Sequence, residues 1–306
     1  MTHLRRFLAM VLVVSVIGTL GAACATAADT VLPTEAPSAS GANEEASAPV
    51  VELGRAGDEF GDPASLAGWT VMQGELQDGT PGTVDIGRTN PGALTMVPGR
   101  SWWVNGTRGL FVYQQLRGDF VVTARVRVSG KAAPLPAVDW SLAGLLLRAP
   151  SSPNGSEHWV GYTVGFVGAP RVERKTTKSS RSELRLIPVE PGWIELRAVR
   201  AGALVILLRR QGGTDWTLDA VYERADLPET LQVGIDAQSG YEADRADLVA
   251  ETDWVHVAPT GIPDAVLAGL TGQLSHAVNR EEGNTLTARD TDLVREALLP
   301  TILNIP

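Results

Sequence analysis

From Trp69 to Val257 the apolar runs are short, often β-branched, and repeatedly cut by Gly, Pro or Asn. The runs Trp69–Met72, Gly92–Val97, Phe120–Val128, Ala143–Arg148, Trp159–Phe166, Thr217–Tyr222, Leu231–Asp236 and Leu248–Val257 each end at turn chemistry. In Phe120–Val128, Val122, Ala124, Val126 and Val128 share one face, the period-two pattern of a half-buried strand. Trp193–Arg200 and Ala203–Leu208 flank Ala201-Gly202, which predicts a hairpin, and Gln211-Gly-Gly-Thr-Asp215 turns the chain again before Trp216. Strands at this spacing predict an antiparallel sandwich or barrel. No stretch between them has the length and period of a crossover helix, which excludes a parallel α/β sheet.

After Pro259 the texture changes. Apolar residues at 266, 267, 270, 274, 277 and 278 form a helical stripe with Pro263 at its start. A second helix is expected over Asp292–Leu299, stopping before Pro300. This tail either packs loosely on the sandwich or serves as a helical hairpin for self-association.

The first residues read as a targeting segment. Arg5 and Arg6 precede an apolar stretch, Phe7–Leu20, followed by Gly21-Ala-Ala-Cys24. This resembles a bacterial lipoprotein signal with Cys24 as the lipid-bearing residue. Such signals usually carry Leu where this one has Gly21, so cleavage after Ala25 or Ala27 by an ordinary signal peptidase is the alternative. Cys24 is the single cysteine, so no intramolecular disulfide forms. Residues 25–57 are rich in Ala, Ser, Pro and Glu and lack an apolar period, the composition of a flexible tether. The expected division is therefore 1–24 signal, 25–57 tether, 58–258 sandwich and 259–306 helical tail. A net charge of −9 argues against a general nucleic-acid binder.

Five segments in order carry a family resemblance: Gly118-Asp-Phe-Val-Val-Thr-Ala-Arg-Val126, Ala143-Gly-Leu-Leu-Leu-Arg148, Trp193-Ile-Glu-Leu-Arg197, Gly213-Thr-Asp-Trp216 and Val233-Gly-Ile235. Together they resemble the concanavalin A-like lectin/glucanase superfamily, in particular bacterial lectin-like modules also found appended to β-xylosidases. The resemblance spans about Asp58 to Val257. It implies an all-β jelly-roll sandwich of two curved sheets, in a superfamily of sugar binders, glucanases and modules without an assigned role.

Sugar binding needs an aromatic face against a pyranose ring, with amide, carboxylate or guanidinium groups for its hydroxyls. Trp102, Trp103 and Asn105 supply two indoles and an amide, and Arg148 and Trp159 lie on strands that the resemblance places centrally. These five form the expected ligand site, with Arg148 and Trp159 facing the concave side and Tyr162 the opposite one. Catalysis is the alternative. Glu251 and Asp253 lie on one strand face about 6.6 Å apart, compatible with glycosidase carboxylates. The glucanase motif's second Glu is missing, since Val255 and His256 stand there. Asp253 with Asp58 also offers hard oxygens for a structural Ca²⁺; no other cofactor is expected.

Four His without a ligating spacing, and no Gly-x-Ser-x-Gly elbow, speak against a transition-metal site or a Ser/His/Asp elbow. Arg171–Arg185 holds six cations against two Glu. It reads as a solvated hairpin or as a patch for an anionic polymer. The leading expectation is a lipid-anchored, non-catalytic module on a bacterial cell surface (or a secreted one) that binds carbohydrate or an anionic envelope polymer. A glycoside hydrolase using Glu251 and Asp253, and an assembly lipoprotein, are the alternatives.

Overall fold

Alternation along each strand decides what the sandwich buries. In Leu231-Gln-Val-Gly-Ile-Asp-Ala237 the apolar side chains at 231, 233, 235 and 237 all enter the core, so Gln232 and Asp236 face away from it. A computed structural model of the chain describes residues 48–76, 79–150, 155–240 and 246–305. Cys24, its leader and most of the expected tether lie outside these residues.

The strands run β1 (Gly57–Asp58), β2 (Thr70–Met72), β3 (Thr83–Ile86), β4 (Leu94–Val97), β5 (Leu110–Arg117) and β6 (Phe120–Ser129). Then come β7 (Ser141–Arg148), β8 (Trp159–Phe166), β9 (Pro170–Lys178), β10 (Arg181–Pro188), β11 (Ile194–Ala201) and β12 (Leu204–Gln211). β13 (Thr217–Glu223), β14 (Thr230–Ser239) and β15 (Val249–Pro259) complete the sandwich. The front sheet has the order β10-β9-β8-β7-β14-β5-β2. The back sheet has the order β13-β12-β11-β6-β15-β4-β3, with β1 added against β15. The predicted hairpin forms as β11 and β12, closed at Ala201 and Leu204 around Gly202 with φ +58°. Sandwich contacts begin before residue 58, because Val50 bridges to Gln115 and the Val51 N–H donates to the Gln115 carbonyl at 2.8 Å.

Between the sheets lies one continuous apolar core that includes Val112, Val122, Leu145, Val160, Leu196 and Ile235. Gly165 and Gly234 mark close backbone approaches within the front sheet. A Cβ on either would meet a neighbouring strand's carbonyl oxygen at 2.0 Å, so only Gly fits.

The tail does not pack loosely. Helices α1 (Asp264–Thr271) and α2 (Ala288–Ile302), joined by the small hairpin β16 (Val278–Asn279) and β17 (Thr285–Leu286), close a second core on the outer face of the back sheet. Val294, Leu298 and Ile302, spaced one helical turn apart, are fully buried against residues such as Val199, Ile206 and Leu208. α2 runs through Pro300, whose missing N–H falls in the last turn. Arg197 reaches from β11 to donate to the Ile302 and Ile305 carbonyls at 2.8 and 2.9 Å, occupying acceptors that a helix C-terminus leaves open. Among the described residues no helix is long and apolar enough to cross a membrane.

Candidate functional site

The outer face of the front sheet is polar, and strand register fixes its layout in three rows. Gln232, Arg148, Trp159 and Thr177 form one, and Gly234, Leu146, Gly161 and Lys175 the next. Asp236, Gly144, Thr163 and Glu173 form the third. A Cβ on Gly144 or Gly234 would meet a neighbouring strand's carbonyl oxygen at 2.4 or 2.0 Å, so glycine at these positions lets the strands approach closely.

A strap from Ser101 to Gly109 covers this face. The Ser101 carbonyl accepts from the Ser239 N–H at 3.1 Å, and the Trp103 N–H donates to Gln238 Oε1. Lys175 Nζ donates to the Trp103 carbonyl at 2.8 Å. Asn105, at φ +53°, brackets Ser182: its N–H donates to Ser182 Oγ at 2.6 Å and its Oδ1 accepts from the Ser182 N–H at 3.0 Å. The strap presses the Trp103 indole edge-on between Phe111 and Trp159, with ring centroids 5.8 and 5.9 Å away.

The predicted platform is therefore sealed. Trp103, Trp159 and Arg148 are 2, 1 and 0 % exposed, against the expectation of open indoles and an open guanidinium. Arg148 and Trp159 do share one row on the outer face, while Tyr162 points into the core. Arg148 is held by Glu157 in a fork of two bonds, both 2.7 Å, and donates to Gln232 Oε1 at 2.6 Å. Trp102 is half-buried and Asn105 is exposed at the strap's latch.

Beneath the strap lies a cluster that the sequence reading passed over. Glu173 pairs with Lys175 at 2.8 Å, and Lys175 lies 6.0 Å from the Trp159 ring centre. Glu173 Oε2, Asp236 Oδ1, Thr163 Oγ1, Gln232 Nε2 and the indole nitrogens of Trp103 and Trp159 are buried without a hydrogen-bond partner among the described residues. Burial pushes the Asp236 carboxyl well above the usual carboxylate range; Lys175 opposes the shift and Glu173 reinforces it. Burial likewise raises the Glu173 carboxyl, against the charge and hydrogen bond of Lys175. An unpaired buried polar group costs about 1–3 kcal/mol, so six on one face set it apart from the rest of the structure.

The other expected site residues, Asp58, Glu251 and Asp253, lie on the back sheet. Glu251 is gripped by Arg127 through two bonds of 2.9 and 2.7 Å, and Asp253, at a bulge in β15, pairs with Arg125. Both acids lie on the back sheet, where Arg125 and Arg127 also flank the Trp193 ring at 4.7 and 4.6 Å. Both carboxylates of the catalytic alternative are thus engaged by arginines. Asp58 accepts from the Phe60 N–H at 2.8 Å and from Trp69 Nε1 at 3.2 Å. Asp253 is held by Arg125, and no group of three or more His, Cys, Asp or Glu that could hold a metal ion occurs among the described residues.

Ser156, His158 and Asp226 form a hydrogen-bonded chain of 3.4 and 2.7 Å. Arg224 forks onto both Asp226 oxygens and ties them to the Trp159 and Thr177 carbonyls, so this chain fastens β8 and β9 to the end of β13.

Two antiparallel sheets of this order, with a polar face under a strap, make a concanavalin A-like jelly-roll sandwich. No protein-family model matches the sequence, and no curated protein matches it. Among solved structures, the GH43 protein BlXynB of Bacillus licheniformis aligns with a TM-score of 0.53 at 15 % identity, over 67 % of this chain and 39 % of that one. The xyloglucan PUL protein GH43B of Bacteroides ovatus aligns with a TM-score of 0.50 at 14 % identity, over 66 % and 39 % of the two chains. The chain thus spans well under half the length of these proteins, and at such identity the likeness defines the fold.

Proposed function

We propose that this chain is a saccharide-recognition module whose ligand lies on the outer face of the front sheet, beneath the strap. The observation that carries the reading is the set of unpartnered buried donors and acceptors around Asp236, Thr163, Gln232 and Glu173. A saccharide offers many hydroxyls, each able to donate and accept, beside an apolar ring face suited to Trp159. The fold supports this reading, and one structural neighbour is named for xyloglucan. Entry requires Trp103 to leave its seat between Phe111 and Trp159. Screening the protein on a glycan array and titrating the best oligosaccharide tests the proposal. Asp236→Ala should weaken that binding by about tenfold or more, the size of a lost hydrogen bond to a charged or acidic group. Binding to no saccharide, or binding indifferent to Asp236→Ala, overturns it.

A second reading, glycoside hydrolysis, is favoured by the two burial-raised carboxyls on one face. Binding takes precedence because Glu173 is already committed to Lys175. Release of reducing ends by the wild type, abolished in Glu173→Gln, would reverse that order. We also propose that Cys24 carries the lipid that anchors the module to the cell surface. Fatty-acid labelling should mark the wild type and not Cys24→Ser.

A further inference from the structure

The cationic segment Arg171–Arg185 is sorted by the fold into two sets. Arg174 and Lys175 turn inward, and Arg174 and Arg185 both reach Glu282 of the tail, at 2.6 and 3.7 Å. Lys178 and Arg181, at the tip of the β9–β10 hairpin, stay exposed. They line a cleft of about 440 Å³ whose opposite wall is the β16–β17 hairpin with Arg280, some hundred residues further along the chain.

We infer that this cleft is a second site, which takes the carboxylate or sulfate of an acidic saccharide. Lys178, Arg181 and Arg280 have no ion-pair or side-chain hydrogen-bond partner among the described residues. Two carboxylates share the lining. Glu223 hydrogen-bonds His276 at 2.8 Å, and the two acids, Glu183 and Glu223, face three uncommitted cations beside Arg224, which is itself paired with Asp226. Like charge costs energy to hold together without a counter-charge, and in a chain of net charge −9 such a concentration of positive charge selects an anion locally. The volume falls within the roughly 300–1,000 Å³ of ligand clefts. Val278, 44 % exposed, adds an apolar wall, and Ser179 and Asn284 add neutral hydrogen-bonding groups. These features fit a charged sugar residue better than a bare ion.

The site rests on the saccharide reading above for its choice of polymer; the charge arrangement stands on its own geometry. The test titrates the full chain with an oligogalacturonate, a neutral xylo-oligosaccharide, inorganic phosphate and phosphatidylglycerol vesicles. Affinity for oligogalacturonate should fall about tenfold or more in the Lys178→Ala/Arg181→Ala/Arg280→Ala variant, and fall with added salt as screening grows. All three residues are exposed, and Arg280→Glu alone provides a second variant should the triple one misfold. Unchanged oligogalacturonate affinity in both variants overturns the inference. So does binding confined to vesicles or to phosphate. If oligogalacturonate binds through the three cations but Asp236→Ala alters no saccharide's binding, the front-face reading falls and this one stands.

Discussion

The two outer faces of the sandwich are built on the same principle of alternation and finished in opposite ways. On the back-sheet strands, among the described residues, no buried side-chain polar atom is left without a hydrogen-bond partner. The sheet's apolar half is sealed by α1 and α2, and in its charged half Arg125, Arg127, Arg197 and Arg210 stack on Trp193 and Trp216, with Arg125, Arg127 and Arg210 paired to Asp253, Glu251 and Glu195 and Arg197 bonded to Thr123 and the tail carbonyls. On the front sheet the buried polar groups outnumber the partners the fold supplies. Both faces carry indoles and paired charges, so the presence of either does not mark a site. What differs is satisfaction within the protein: six buried polar groups on the front face lack partners among the described residues, and none on the back-sheet strands does.

If that contrast holds, the hardest blow should come where a front-face group is satisfied. Arg148 is fully buried and forked onto Glu157. Arg148→Met leaves Glu157 charged, buried and unpaired, and should cost about 3–5 kcal/mol in urea unfolding. A loss below about 1 kcal/mol would mean that Glu157 finds water, and that this end of the face is open.

Next in size is the seal on the back sheet. Leu298→Ala opens a cavity in a second core with no other cover and should cost about 2–5 kcal/mol by the same measurement. The tail's apolar side is already used here, so the variant's main effect should be on stability. A change in oligomeric state by light scattering without loss of stability would instead revive the tail as a self-association element.

This contrast also explains what was legible in the sequence. The strands from Phe120, Ala143, Trp159, Ile194, Leu204 and Leu231 were readable because β-branched alternation and Gly turns are local signals. The tail helices were readable from their stripe, though not their role, since the face they cover is assembled from β11, β12 and β13. β5 was missed because Gln114, Gln115 and Arg117 break its apolar pattern, and β9 and β10 were legible only as the hairpin reading of the cationic segment Arg171–Arg185. The site failed for a related reason. Open indoles were expected at Trp103 and Trp159, but whether an aromatic is exposed depends on the strap, a long-range contact absent from any window. One local signal was available: Gln232, Asp236 and Gln238 alternate with four core residues on one strand, a polar row on a strand too apolar to be an edge.

A smaller effect, with a distinctive sign, should come from the unmatched acid itself. The Asp236 carboxyl is raised by burial, so the folded protein holds its proton at pH values where the unfolded chain has released it. Stability then falls as pH rises from the ordinary value of 3.8 towards the raised one, since the unfolded state binds fewer protons across that window. Asp236→Asn removes this penalty. It should raise the Tm at pH 7 by a few degrees, with the gain shrinking to nothing as pH falls below 3.8. A Tm lowered at both pH values would show that the carboxylate is matched after all, and would erase the difference between the two faces.

The smallest effect belongs to the back-face pair of Glu251 and Arg127, whose acid the catalytic alternative uses. Glu251 is buried, but Arg127 is about two-fifths exposed, so water screens the pair from the arginine side and its contribution is about 1 kcal/mol. Glu251→Gln keeps the shape and most of the hydrogen bonding to Arg127, so stability should drop by less than about 1 kcal/mol. Saccharide binding on the opposite sheet should not change, because the two sites share no partner and lie on separate layers. The measurement is a paired one: urea unfolding and oligosaccharide titration on the same preparation. If Glu251→Gln weakened binding while leaving stability intact, the matched face would carry function too, and satisfaction of polar groups would no longer separate structure from site in this molecule.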